Sequence, residues 1–324
     1  MSGIRPSTHK PELRSHTLKY LGRDSVMASR VSVVRAEDHE LAVGSALRLL
    51  AEDFPRDLRK VLIKPNFVST RVKLSATPVE TVRGVLRFLY DFSNPSEVLV
   101  AESPAVGGFE DALRNFGYYE LKKEFPSIEF VDLDSMEARS VKLNDQRGRS
   151  LEVPIPSVMF DRSVLKLSPV RPKTHDTVVV TLTVKNLVMG AIRKGYKSSM
   201  HAGYLAINRN IAKLFSAMGP CCGVIDGIEG MEGDGPVSGR AKRWGYVFAS
   251  CNCAALDRLV ASAMGFNPDD VGYLYFLKGL AGEVVPVGEP LSRTFTKFTP
   301  HRSYLDQLSW KAELANNEAS NEKA

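Results

Sequence analysis

The sequence predicts an α/β protein that has a mainly parallel sheet with flanking helices in its N-terminal half and mixed or antiparallel α/β additions in its C-terminal half. Between residues 31 and 133, short apolar runs alternate with amphipathic segments at intervals of roughly 25–30 residues. That alternation is typical of βαβ units, whose strands are parallel and whose crossovers are right-handed. The chain has 324 residues, 44% of them hydrophobic and 25% charged, which suffices to bury a core.

In the N-terminal half, each of the first three predicted strands is followed by a helix. The predicted strands are Val31–Val34, Lys60–Phe67, Glu97–Ala101 and Ile128–Leu133. Helical spacing of apolar residues is found in Ala36–Phe54, in Pro78–Phe92 and in a segment ending near Gly117. Thr77 is the expected N-cap of the second helix, with Pro78 at its first position.

From about Ser140 the rhythm changes, and short β-like runs follow one another without long helices between them. These runs are Arg139–Leu143, Ser150–Pro154 and Ser163–Leu167. They predict an antiparallel addition. Further on, helices are predicted at Asn208–Met218 and Ala254–Met264, on either side of a strand at Tyr246–Ala249.

Three segments are expected along the chain. Residues 1–29 form a basic, flexible tail, residues 30–290 a single α/β domain, and residues 291–324 a C-terminal extension with a polar tail. The domain has either one lobe or two, with a boundary near residue 140.

Composition argues against several classes of protein. Much of the net charge of +6 comes from the tail. The rest of the chain is nearly neutral and therefore offers little basic surface for binding nucleic acid. No apolar run reaches the roughly 18–20 residues of a membrane helix, and no secretion signal is visible. We therefore expect a cytoplasmic protein with no membrane or nucleic-acid partner. The four cysteines are too few for a disulfide framework and fit buried structural thiols better than a metal site.

Polar residues follow two of the predicted strands. Lys64 and Asn66 end one strand, and Glu102 and Ser103 end the next. In open α/β sheets, ligands bind at the carboxyl ends of strands. Lys64, Asn66 and Ser103 are therefore candidate substrate-binding residues, and Glu102 is a candidate acid, base or metal ligand. A solvent-facing turn is an equal alternative for the first pair.

A second cluster brackets the apolar run Val178–Val184. It contains Lys173 and His175 before the run, Lys185 and Asn186 after it, and His201 beyond. A lysine within an apolar segment is costly unless it meets an anion or a carboxylate. We therefore predict that Lys173 and Asn186 bind substrate and that His175, His201 and Lys185 are catalytic. A lone histidine is more often simply hydrogen-bonded.

The third cluster is acidic and rich in glycine. It runs from Asp226 to Pro236 and is expected to form a loop, in which Asp226, Glu229, Glu232 and Asp234 are candidate ligands for Mg²⁺ or Ca²⁺. A partner for the lysines and a flexible acidic turn are the alternatives. The spacing does not match an EF-hand loop.

Taken in this order, these segments resemble the domain of unknown function 362 family over roughly residues 31–285. The most specific parts are Val184-Lys185-Asn186 and the run from Asp226 to Pro236. The resemblance implies an α/β fold, and some members carry a fused ferredoxin-like module with two four-iron clusters. This chain has no Cys-x₂-Cys-x₂-Cys run, so no iron–sulfur cluster is expected in it.

The leading hypothesis is an enzyme that acts on a small anionic metabolite, a carboxylate or a phosphate. Its lysines and histidines would bind the anion and transfer protons, with a divalent cation as a candidate cofactor. The alternative is a non-catalytic binding protein for an anionic ligand, or a subunit that partners a redox protein. No feature of the sequence predicts the oligomeric state.

Overall fold

The structure is a computed structural model that describes residues 28–201 and 203–321. Apart from its last two residues, the basic tail predicted at 1–29 lies outside the described residues.

Twelve strands are present in the described residues. In chain order they are β1 Ser29–Arg35, β2 Lys60–Ile63, β3 Glu97–Glu102, β4 Ile128–Asp132, β5 Ala138–Asn144, β6 Ser150–Pro156, β7 Val164–Val170, β8 Lys173–His175, β9 Val179–Thr181, β10 Cys221–Glu232, β11 Arg240–Ser250 and β12 Val284–Gly288.

Ten of these strands form one sheet, with the order β12-β1-β11-β10-β7-β2-β3-β4 along its main path. Strands β10, β7, β2, β3 and β4 are all parallel to their neighbours within this group. Strand β11 is antiparallel to both β10 and β1. The short strand β8 pairs with β10 at Met231, near the end of β10, and β9 pairs with β8. The predicted fold class, a mainly parallel sheet with mixed additions, is confirmed.

Eleven α-helices are present in the same residues. They are α1 His39–Arg48, α2 Val79–Phe92, α3 Phe109–Asn115, α4 Leu121–Glu124, α5 Thr183–Ala191, α6 Tyr204–Ala217, α7 Cys253–Ala263, α8 Gly272–Phe276, α9 Lys278–Ala281, α10 Tyr304–Gln307 and α11 Trp310–Asn321. None of them is long and apolar enough to cross a membrane.

The helices cover both faces of the sheet, because successive side chains of a strand point to opposite faces. On β2, Val61 and Ile63 pack into one apolar cluster and Leu62 packs into the other. Helices α1, α2 and α3 supply the first cluster, and α5, α6 and α7 supply the second. The parallel strands are therefore buried on both sides, which is typical of this architecture.

The antiparallel addition is only partly as predicted. Strands β5 and β6 form a separate two-stranded antiparallel sheet, as expected. The prediction for Ser163–Leu167 was wrong, because β7 lies in the middle of the main sheet, parallel to both β2 and β10. All seven residues of β7 are buried, and this is the property that marks a central strand rather than an edge hairpin.

The acidic, glycine-rich segment is mostly not a loop. Strand β10 continues through it to Glu232 and pairs with β11, with a register shift between Gly227 and Glu229. Two of its glycines allow close packing: a Cβ at Gly227 would lie 2.8 Å from the Trp244 ring, and one at Gly230 would lie 2.8 Å from the Phe298 ring. These two glycines therefore allow aromatic rings to pack against the strand and are not part of a flexible ligand loop.

The start of α2 also differs from the prediction by one residue. Pro78 is the N-cap, and the Thr77 side chain makes no capping bond. Instead, its hydroxyl accepts from Asn66 N at 2.9 Å and donates to Pro169 O at 2.8 Å. Thr77 therefore joins the ends of β2 and β7.

Candidate active site

The centre of the site is a buried ion pair between the ends of two neighbouring parallel strands. Lys64 directly follows β2 and Glu102 ends β3, and their Nζ and Oε1 atoms are 2.9 Å apart. Lys64 Nζ also donates to Asn186 Oδ1 at 3.1 Å and to Pro65 O at 3.3 Å. Burial lowers the pKa of Lys64, and Glu102 opposes that shift. The structure thus joins three residues that the sequence predicted separately.

The second oxygen of the Glu102 carboxylate has no hydrogen-bond partner. Oε2 is buried, yet it receives no hydrogen bond in the described residues. A buried acceptor without a donor is rare and costs about 1–3 kcal/mol. Such groups are concentrated at sites where a ligand or a proton completes the hydrogen bonding.

Helix α5 carries two of the predicted residues into this centre and is fixed at both ends. Asn186 donates through Nδ2 to Lys64 O at 2.9 Å and to Ser168 Oγ at 3.0 Å. At the start of the helix, Asp257 of α7 accepts from Thr183 N at 3.0 Å and from Val184 N at 2.8 Å. Sequence reasoning assigned no role to Asp257, because its partners are more than 70 residues away.

Gly190 lets α5 lie directly against the ion pair. A Cβ at this position would overlap Lys64 Nζ and would lie 2.9 Å from Glu102 Oε1. Both are buried, so neither can move away into solvent. A glycine is therefore required here for reasons of space.

Lys173 and Asn66 form a second buried contact beside the first. Lys173 Nζ donates to Asn66 Oδ1 and, at 2.7 Å, to Ser75 O. Burial, reinforced by the positive charges of Arg171 and Lys185, holds the pKa of Lys173 well below its ordinary value. The Lys173 amine thereby holds the strand ends together.

Lys185 and Lys197 differ from Lys64 and Lys173 in their hydrogen bonding. Lys185 is 8% exposed, and its Nζ has no hydrogen bond to any of the described residues. Lys197 is half-buried and donates to Ser103 O. Burial lowers the pKa of each to about 8, opposed most by Asp176 for Lys185 and by Glu102 for Lys197. Sequence reasoning missed Lys197, whose short helical surroundings carry no distinctive motif.

The two predicted histidines lie together, with ring centroids 6.3 Å apart and nearly parallel. Burial, and then the charge of Lys185, lowers the pKa of His175 to about 3 and lowers that of His201. His175 Nδ1 lies 3.0 Å from Thr177 N, which donates to it, and 3.0 Å from Asp176 Oδ1. Nδ1 of His175 therefore lies between a backbone donor and a carboxylate acceptor.

Ser103 has a positioning role in this arrangement. Its hydroxyl donates to Asp134 Oδ1 at 2.9 Å, and the same oxygen accepts from Lys194 N at 3.1 Å. Its carbonyl accepts from Lys197. Ser103 thereby fixes the segment after α5 over the Lys64–Glu102 pair.

The four carboxylates predicted as metal ligands are not brought together. Asp226 accepts from His39 Nδ1 at 2.6 Å and from Thr81 Oγ1. Glu229 pairs with Arg171 at 2.6 Å. The remaining two pair separately: Glu232 with Arg240 and Lys242, and Asp234 with Arg302 and His301. Residues 28–201 and 203–321 contain no group of three or more His, Cys, Asp or Glu side chains that could hold a metal ion.

The cysteines lie around the start of β10 and the end of β11. All four are free thiols; Cys222 and Cys253 are buried, and the other two are half-buried. Burial holds the pKa of Cys222 and of Cys253 well above the ordinary value. Raised pKa values make these two thiols poor nucleophiles, in keeping with a packing role.

Replacing Gly190 by alanine should destabilise the protein. The added methyl group must displace a buried amine or carboxylate, so we expect a loss of about 1–3 kcal/mol or more in the free energy of unfolding. Gly279→Ala is the matched control, because a Cβ there meets nothing within 4 Å. Urea denaturation of both variants measures the difference, and equal stabilities would contradict the packing described here.

Replacing Asp226 by asparagine tests whether this residue joins helices or binds metal. The hydrogen bond to Asp226 raises the pKa of His39 above 6.5. The stability from this pair is therefore fully present below pH 6.5 and is lost as the pH rises through the raised value. We expect Asp226→Asn to cost about 1–3 kcal/mol at pH 6 and less at pH 9.

Thermal melts of the unmodified protein with and without a chelator provide the comparison for this variant. If the chelator does not change the melting temperature, Asp226 has a structural role and connects α1, α2 and β10 through its hydrogen bonds. A chelator-induced drop that Asp226→Asn abolishes would identify a metal ligand instead.

This chain is similar in sequence to a family of known proteins. Residues 61–262 match the family model described as "Domain of unknown function (DUF362)". A thylakoid-associated protein of Synechocystis sp. is 25% identical over 255 residues, covering 75% of this chain and 76% of that protein. A crystal structure of a Thermotoga maritima protein aligns with a TM-score of 0.47 and 13% identity, over 68% of this chain and 57% of that one. Since the family model spans more than half of the sequence, this chain belongs to the DUF362 family.

Proposed function

We propose that this protein is an enzyme that binds a small anionic metabolite, a carboxylate or a phosphate, and transfers a proton to or from it. The observation that carries this proposal is the Lys185 amine, which lies in a buried cluster and has no acceptor among the described residues. The amine keeps some contact with solvent, so a ligand can reach it, while burial of the rest of the side chain makes a charged partner favourable. An anionic ligand would supply the missing acceptor.

The charges around Lys185 favour an anion. Lys64 and Lys197 lie close enough to lower its pKa, and Asp176 is the nearby carboxylate that raises it. Glu102 is already paired with Lys64. A bound carboxylate or phosphate would therefore meet Lys185 and Lys197 as its two available ammonium groups.

The pKa values of Lys185 and His175 favour different chemical roles for the two residues. A proton carrier is most effective when its pKa is near the working pH, and Lys185, at about 8, meets this condition. His175, at about 3, is neutral near pH 7 and is a weak base. We assign to the N–H group of His175 the donation of a hydrogen bond to a substrate oxygen, as a neutral imidazole can do.

The remaining predicted residues position these groups. Glu102 and Asn186 hold Lys64, and Asn66 holds Lys173. His201 lies against His175 at the edge of the cluster. We assign the four carboxylates from Asp226 to Asp234 no part in the reaction, since each already has a cationic partner.

Binding of an anion should depend on pH. A bound anion raises the pKa values of Lys185 and Lys197 above about 8, so binding takes up protons and weakens as the pH rises. We expect the affinity for inorganic phosphate or malonate to fall about tenfold between pH 7 and pH 9. Calorimetry in buffers of different ionisation enthalpy measures both affinity and proton uptake.

Lys185→Met should weaken this binding about tenfold at pH 7 and reduce its pH dependence, while Lys142→Met, at an exposed position, should change neither. Binding that is unaffected by Lys185→Met would contradict the proposal.

An NMR experiment in D₂O then distinguishes an enzyme from a non-catalytic binding protein, because it detects the loss of C–H signals from bound carboxylates. Exchange identifies proton transfer, and binding without exchange in any compound tested identifies a binding protein.

A further inference from the structure

We propose that Lys185 is also a nucleophile that forms a Schiff base with the carbonyl group of a small aldehyde or ketone acid. This inference rests on the proposed function, because it uses the same anion-binding cluster. It adds a substrate class and a covalent step.

The first support is the state of the Lys185 side chain. Among the described residues no acceptor engages its Nζ, so the lone pair of the neutral amine is free to attack. The amines of Lys64 and Lys173 are each engaged by buried oxygens, and that of Lys197 by Ser103 O. Of these four lysines, Lys185 alone has an unengaged amine in the described part of the chain.

The second support is the surroundings of the amine. The groups facing it are the ammonium of Lys64, the amine of Lys173, the ammonium of Lys197, the carboxylate of Asp176 and the imidazoles of His175 and His201. Asp257 lies at the start of the same helix. Desolvation and neighbouring cations are the two known ways to activate a lysine for Schiff-base formation. Both act on Lys185.

The third support is the rigid mounting of the residue. All nine residues of α5 are buried. Asp257 accepts two backbone N–H groups at the start of the helix, and Asn186, next to Lys185, is bonded to the end of β2. The base of the Lys185 side chain is therefore fixed, which is what a nucleophile requires for orientation.

Schiff-base formation takes place in two stages, addition of the amine to the carbonyl group and loss of water. The neutral amine attacks the carbonyl carbon, a C–N bond forms, and the carbonyl π electrons move to oxygen, which takes up a proton as nitrogen releases one. The hydroxyl group then takes up a second proton, from solvent, and leaves as water while the nitrogen lone pair forms C=N. The products are a protonated imine on Lys185 and one water molecule, with no oxidant or reductant. We assign the stabilisation of the oxygen during attack to the N–H group of the His175 imidazole, which lies close enough to Lys185 to be affected by its charge.

The test is trapping with glyoxylate and sodium cyanoborohydride at pH 7, which reduces any imine to a stable amine adduct. Peptide mass spectrometry then gives the rate of modification at each lysine of the intact protein. A pKa of about 8 leaves roughly one amine in ten neutral at pH 7, against fewer than one in a thousand for an ordinary lysine. We expect Lys185 to react at least tenfold faster than the exposed Lys142.

A second variant distinguishes activation from mere access. Lys197→Met removes a neighbouring positive charge, so the pKa of Lys185 should rise. Trapping at Lys185 should then slow severalfold at pH 7, where fewer amines are neutral. At pH 10 the rate of trapping should not fall. A rate at Lys185 no greater than at Lys142 overturns the inference. If phosphate binding still depends on Lys185 in that case, the proposed function stands and Lys185 acts only as a charged binder and proton carrier.

Discussion

The buried ion pair between Lys64 and Glu102 is the constraint on which the rest of the site depends. Removing one partner from such a pair leaves an uncompensated charge, which typically costs about 3–5 kcal/mol. The pair therefore fixes what surrounds it: β2 and β3 must be adjacent and parallel, so that Ile63 lies beside Val100 and the two side chains leave the sheet together. Helix α5 must then present a residue without a side chain at Gly190.

The same burial divides the lysines into two groups. Lys64 and Lys173 each find two or more oxygen acceptors, so they serve as fixed connections between strand ends. Lys185 and Lys197 lie further out, where desolvation lowers the pKa to about 8 but no carboxylate is within hydrogen-bond distance. Because the inner lysines are already satisfied, a ligand can change the protonation state only of the outer ones. This is why the proposed chemistry is assigned to Lys185 and not to the most buried amine.

The sequence was sufficient to predict the alternation of strands and helices and the residues at strand ends, since both depend on local periodicity and on the edge at which parallel strands finish. It could not place β7 in the middle of the sheet, because an all-buried strand and a short hairpin strand look alike in a run of seven residues. Nor could it identify Asp257 as the anchor of α5, a contact that spans 74 residues. Lys197 escaped notice because its activation comes from three-dimensional neighbours rather than from residue type.

In the acidic segment, the structure gives the carboxylates partners that composition alone does not identify. Alternating carboxylates and glycines look like a metal-binding loop, but along β10 the glycines admit aromatic rings and the carboxylates meet arginine, lysine and histidine from neighbouring elements. Their charges are thereby used for structure. Glu102 differs, because one of its oxygens holds Lys64 while the other has no donor among the described residues. Leaving this buried oxygen without a donor costs stability at that point. The Glu102 carboxylate acts on the Lys197 amine, which in turn acts on Lys185. A ligand that brings both a proton and a negative charge would therefore complete the hydrogen bonding of Glu102 and neutralise the two lysines.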